Sequence, residues 1–163
     1  AMRNAVKKDF RDIYSSPMSQ GTRCHQLATY IVFDSPLVML CDAPTAYRKE
    51  PECTRFIAGL PVVADETRIL QGKMGEYIVT ARRVGEDWIV GGLTDWEART
   101  VDLDLSFLPE GMFRAEIFCD GINADKKGED YRHEYRDVKR EDRLKMQLAP
   151  GGGFAIRLKK NHN

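Results

Sequence analysis

Hydrophobic positions along this chain follow two rules, and the change comes near Thr67. Before it, Leu27, Ala28, Tyr30, Ile31 and Val32 cluster at helical spacing, and Ser19 or Thr22 stands where a helix cap belongs. Ser35-Pro36 predicts the stop, because a residue before proline is pushed out of the α region. Leu37, Val38, Met39, Leu40 and Cys41 then form a continuous apolar run, the pattern of a strand buried on both faces of a parallel sheet. Glu50-Pro51 opens a second helix, with Cys53, Phe56, Ile57 and Leu60 as its stripe and Gly59 and Pro61 as its end. Helix, buried strand, helix is one step of a parallel α/β fold. Upstream, Val6, Phe10 and Ile13 sit near helical spacing but break at Ser15-Ser16-Pro17, as a loose surface arm would.

After Thr67 the period becomes two. Tyr77, Val79 and Ala81 alternate with Ile78, Thr80 and Arg82, and a turn at Gly85-Glu86-Asp87 leads back through residues 88–93. Val101, Leu103, Leu105 and Phe107 alternate with Asp102, Asp104 and Ser106, one face dry and one wet. Phe113, Ala115, Ile117 and Cys119 repeat the device up to the turn dipeptide Asp120-Gly121. Residues 131–138, 144–148 and 154–158 read as further strands. About eight short strands at this spacing predict an antiparallel sandwich or barrel. The expected fold class is therefore mixed: a short αβα remnant over residues 1–64, then an all-β antiparallel sandwich over residues 65–163. The αβα step lacks parallel neighbours, and the N-terminus begins mid-pattern. Both are expected of the C-terminal piece of a longer chain.

Charge narrows the partners. Lys+Arg and Asp+Glu number 25 each, so no global field recruits nucleic acid or an anionic membrane. No apolar run approaches the length that spans a bilayer. The cysteines at 24, 41, 53 and 119 form no CxxC pair; three of them fall in the αβα stretch, where small buried thiols are common, and the pattern leaves a disulfide open while lacking the tight Cys/His pairs of a zinc site.

Two residues stand out for chemistry. Asp42 ends the apolar run, and in α/β folds functional side chains come from the C-terminal ends of strands. An aspartate there also often turns the chain through its own backbone. Trp96, after Asp95 in an expected turn, is the better exposed candidate for stacking on a sugar, whereas Trp88 alternates as a core residue. Asp120, Asn123, Asp125 and Asp130 lack the spacing of a helix-loop-helix calcium site and read as a turn-rich loop.

Several blocks together carry a resemblance: MSQGTRCHQLATYIVFDSPLVMLCDAPTAY, FIAGLPVVADETRILQGKMGEYIVTARR, DWIVGGLTDW, DLSFLPEG, AEIFCDGINAD and LAPGGGFAIRL. They are similar to the C-terminal end of glycoside hydrolase family 97, bacterial α-glucosidases and α-galactosidases best known from gut Bacteroidetes. The resemblance implies a (β/α)8 barrel whose seventh helix, eighth strand and eighth helix fall at residues 20–33, 36–41 and 50–60, followed by a C-terminal β-domain. It implies calcium for the intact family but no cofactor held by this chain, and α-linked oligosaccharide as the substrate of the parent protein. It also implies a periplasmic location and catalytic carboxylates upstream, so no catalytic residue is carried onto a position here. Asp42 becomes a barrel-mouth residue at most. An exposed barrel remnant predicts self-association. The alternative is a stand-alone carbohydrate-binding module built around Trp96.

Overall fold

A computed structural model describes residues 3–35 and 37–161. Its centre is a six-stranded antiparallel sheet, ordered β3 (Glu66–Lys73), β4 (Tyr77–Val84), β5 (Asp87–Thr94), β10 (Gly153–Lys160), β7 (Phe113–Asp120) and β8 (Tyr131–Val138). A two-stranded ribbon, β6 (Arg99–Asp104) with β9 (Arg143–Leu148), closes over one face. The period-two pattern is why. Val101, Leu103, Leu144, Met146 and Leu148 from the ribbon meet Val79, Ala81, Trp88, Val90, Phe113, Ile117, Phe154 and Ile156 from the sheet, and all are buried. The eight strands from β3 to β10 form the expected antiparallel sandwich.

The opposite face of the sheet is also covered. Helix α1 (Arg23–Val32) lies across β5 and β10, with α3 (Pro51–Ala58) beside it and the short α2 (Pro44–Arg48) before α3. Cys24, Leu27, Ile31, Cys53 and Phe56 pack there against Ile89, Phe118 and Ala155, the residues whose side chains alternate away from the sandwich core. Gly91 makes the approach possible: a Cβ at that position would meet Ile31 Cβ at 2.9 Å and Ala28 O at 3.1 Å. The middle of the sheet is thus dry on both faces.

Thr22 caps α1, its hydroxyl accepting from His25 N at 3.0 Å. Pro51 sits in the first turn of α3, where its missing N–H costs nothing. The N-terminal arm is tied rather than loose. β1 (Asn4–Ala5) pairs parallel with β2 (Ser19–Gln20), although Ile13 and Tyr14 beyond it are exposed.

The apolar run at residues 37–41 differs from expectation. It forms no strand, and Leu37 and Met39 are 73% and 75% exposed. A parallel strand needs hydrogen-bonding neighbours on its flanks, and no other segment among the described residues supplies one. Pro36, the expected helix stop, lies outside the described residues.

Candidate functional site

A concave, mostly apolar surface lies where α1 leaves the sheet. Tyr30 from α1, Tyr47 from α2 and Ile57 from α3 join Val38, Leu40 and Leu60 around a mostly apolar cavity of about 270 Å³. Phe33, Leu37, Met39, Val62 and Val63 continue the apolar character outward and are exposed. Scattered exposed apolar residues need no explanation, but a contiguous patch beside a pocket marks a place where something docks. Burial pushes the Tyr47 phenol up to about 12, so this wall stays uncharged at any ordinary pH. One charge reaches the rim: the buried Arg82 guanidinium donates to Asp34 Oδ1 at 2.7 Å.

Beneath this surface the helices are fastened by polar groups. Arg23 is almost wholly buried, pairs with Glu50 Oε2 at 3.0 Å, and donates through Nε to Asn4 Oδ1. Asn4 Nδ2 in turn donates to Gln26 Oε1 at 2.9 Å. A buried guanidinium is tolerable only when paired and hydrogen-bonded in this way. The network joins the arm, α1 and the start of α3 into one body. Cys24, Cys53 and Cys119 are buried free thiols, and burial pushes each of them up, away from the reactive thiolate.

A second fastening sits at the same N-terminal end of α1. Asp120, at the end of β7, accepts from Ala149 N at 2.9 Å and Gly153 N at 3.0 Å through Oδ2, holding the turn before β10. That turn meets α1 directly: Gly151 O accepts from Thr22 N at 2.9 Å, and the His25 ring donates from Nδ1 to Gly152 O at 3.1 Å. Burial raises the Asp120 carboxyl to about 6, against the Thr22 hydroxyl and the two amides, which lower it. Its Oδ1 is buried without a hydrogen-bond partner. The role is structural, and the acidic loop that follows is likewise spent on turns. Asp130 Oδ2 accepts from Asn123 N at 2.8 Å, and Asp130 O accepts from Gly121 N. Among the described residues no three histidine, cysteine or acidic side chains gather as metal ligands.

The two residues singled out from sequence do not form one site. Asp42 is half-buried just before α2, and its Oδ1 accepts from Ala43 N at 2.7 Å, the local turn geometry common for aspartate. Trp96 lies by the β9–β10 turn, in a shallow cleft with Val6, Lys7, Asp125 and Pro150. Its ring packs so closely on Gly151 that a Cβ there would meet Trp96 Cζ3 at 2.4 Å, and Lys7 Nζ stands 5.9 Å from the ring centroid. A sugar platform needs a free ring face, and the chain itself contributes Gly151 and Lys7 around the Trp96 ring. Tyr77, another possible platform, has the Arg99 guanidinium 5.4 Å from its ring. Sequence reading missed Arg23, Arg82 and Asp120, charged residues in buried places. The only hint was position: Asp120 at a strand end, Arg23 inside an apolar helix face.

Comparison with known proteins agrees with this architecture. The family model described as glycosyl-hydrolase 97 C-terminal, oligomerisation, matches residues 63–159. A retaining alpha-galactosidase of Bacteroides thetaiotaomicron is 57% identical over 159 residues, covering 98% of this chain and 24% of that protein. A probable retaining alpha-galactosidase of Streptomyces bingchenggensis is 30% identical over 130 residues, 80% of this chain and 19% of that protein. Among solved structures, a glycoside hydrolase family 97 enzyme from Pseudoalteromonas sp. strain K8, in complex with acarbose, superposes with a TM-score of 0.84 at 38% identity, over 87% of this chain and 23% of that chain. The chain spans about a quarter, or less, of the length of the curated relatives it matches. Sequence and fold together show that this chain belongs to glycoside hydrolase family 97, as its C-terminal region.

Proposed function

We propose that this chain is the C-terminal part of an α-galactosidase that acts on α-linked oligosaccharides, and that its own task is to seat the end of the catalytic barrel on a β-sandwich. The observation that carries the reading is the contrast around α1. One side of the helix is locked to the sheet by Leu27, Ile31 and the Arg23 network, while beyond its end Leu37, Val38, Met39 and Leu40 stand exposed beside an apolar cavity. An apolar run of this kind is stable in water only when neighbouring strands cover it and satisfy its backbone. The occupant we infer is upstream barrel strand of the same polypeptide. Two relatives named as retaining or probable retaining alpha-galactosidases support the choice of galactoside.

In this reading the catalytic carboxylates and the calcium expected of the intact enzyme belong to segments outside this chain. Among the described residues no three acidic, histidine or cysteine side chains gather as calcium ligands, and Asp120 and Asp130 of the 120–130 loop are spent on backbone amides. The periplasm is the proposed compartment, on the family resemblance. Self-association is proposed through the uncovered surface, in keeping with the family domain's description as one of oligomerisation.

Hydrolysis of aryl α-galactoside and α-glucoside by the purified chain, with and without calcium, tests the reading. No turnover above buffer is expected. Calcium-dependent turnover lost in Asp42→Asn would overturn it.

A further inference from the structure

Strand register puts a surplus of positive charge on the outer face of the sheet, beside α3 and away from the cavity described above. On β10, Arg157 and Lys159 point outward; on β7, Glu116 and Arg114; on β8, Tyr135 and Asp137. Arg157 stands across from Glu116, and Lys159 directly across from Arg114. Like charges directly opposite on neighbouring strands destabilise a sheet. Arg55 of α3 reaches the same depression, a pocket of about 380 Å³ lined by Arg55, Arg114, Glu116, Tyr135, Arg157 and Lys159.

The carboxylates nearby are already committed. Asp137 Oδ1 accepts from Arg114 Nη1 at 3.1 Å. Glu116 is shared among Arg157 at 3.6 Å, the His133 ring at 3.2 Å and the Tyr135 hydroxyl at 3.1 Å. Arg55 and Lys159 have no ion-pair partner among the described residues. The Arg157 guanidinium is held in place, donating from Nη2 to Phe56 O at 2.7 Å, while its buried Nε has no hydrogen-bond partner. Four cations against two carboxylates leave a net positive pocket on a chain whose formal charge is zero.

We propose that this pocket is a binding site for a tetrahedral oxyanion, phosphate or sulfate, free or as an ester on a sugar. Arg157 presents a fixed guanidinium at the floor and the half-exposed Arg114, paired with Asp137, a second one beside it, groups that suit the geometry of such anions. Lys159 and Arg55 supply charge from the rim. The volume falls in the range of small-molecule sites and exceeds what a bare ion fills, and the half-exposed Tyr135 ring forms one wall. Bound anion relieves the Lys159–Arg114 repulsion.

Isothermal titration calorimetry on the 163-residue chain tests this with sodium sulfate, sodium phosphate and galactose 6-sulfate, each against sodium chloride of equal ionic strength. Saturable one-site binding is expected, weakened at least tenfold in the double variant R55A/K159A, whose side chains are exposed and make no packing contribution to the core. Arg143→Ala, on the ribbon with Asp102 and Asp104, should leave binding unchanged. Tighter binding of the sugar ester than of the inorganic ions assigns the site to a glycan; equal binding assigns it to the free ion. The choice of galactose rests on the proposed function, whereas the inorganic arms do not, so failure of the two is distinguishable. No saturable binding of any of the three, or binding undiminished in R55A/K159A, would overturn the proposal.

Discussion

Residues 37–41 and residues 88–93 share one sequence pattern and meet opposite fates. Both carry consecutive apolar residues without a charge, 37–41 in the one and Trp88-Ile89-Val90 followed by Gly91, Gly92 and Leu93 in the other, as strands buried on two faces do. In β5 the pattern is fulfilled: Trp88 and Val90 face the ribbon, Ile89 faces α1 and Phe118, and Gly91 lets the helix settle on the strand. Its backbone pairs with β4 on one side and β10 on the other. The 37–41 run has no such neighbours among the described residues and lies exposed. Hydrophobicity states that a segment requires cover. Only the rest of the fold decides whether cover arrives.

The comparison predicts unequal costs. Trp88 is 2% exposed and packs edge-on to Phe107 with ring centroids 5.1 Å apart. Trp88→Ala should therefore lower stability by ~3–5 kcal/mol, the usual range for emptying an aromatic core site, as read from urea unfolding. An effect below 1 kcal/mol, on the order of an ordinary surface substitution, would mean that the sandwich core does not hold the sheet.

A second effect bears on the layer that covers the outer face of β5. Asp120 anchors the turn against which α1 begins, and burial holds its carboxyl at about 6 rather than near the ordinary aspartate value. Between those two values the native chain binds a proton that the unfolded chain does not. Stability from this group is thus fully present below about pH 4 and is lost as pH rises through about 6, a change of ~3 kcal/mol for a shift of about two units. Asp120→Asn should flatten that part of the pH–stability curve while its carbonyl still accepts from Ala149 and Gly153. An unchanged slope in the variant would remove Asp120 as its source.

The smallest effect belongs to the open run. Leu37→Ser with Met39→Ser should change stability of this chain by no more than about 0.5 kcal/mol, since neither side chain is buried, and should raise solubility. A loss of several kcal/mol by thermal unfolding, well beyond that surface range, would show that the run is covered in solution.

Much of the β-structure was legible because period two is a local signal: apart from β5, a continuous apolar run, the strands from β4 to β10 follow from which alternate positions are apolar. Thr22 and Pro51 were legible for the same reason, as both act on their own turn. What escaped depends on distant chain. The docking of α1 rests on Gly91, about sixty residues away in sequence. Arg23 needs Glu50 and Asn4 before its burial makes sense. Asp42 and Trp96 were chosen by position and exposure, and the structure gives the first a local turn and packs the second on Gly151. The cationic pocket beside α3 appears only once β7, β8 and β10 are placed in register.

Native-state amide hydrogen exchange reads the contrast between the two runs residue by residue. In the chain diluted until it is monomeric, amides of β5 and of Leu27, Ala28 and Ile31 in α1 should exchange only through global unfolding, while those of residues 37–41 exchange close to their intrinsic rates. Strong protection across residues 37–41, or rapid exchange throughout α1, would contradict a helix layer locked to the sheet beside a segment left open for the remainder of the enzyme.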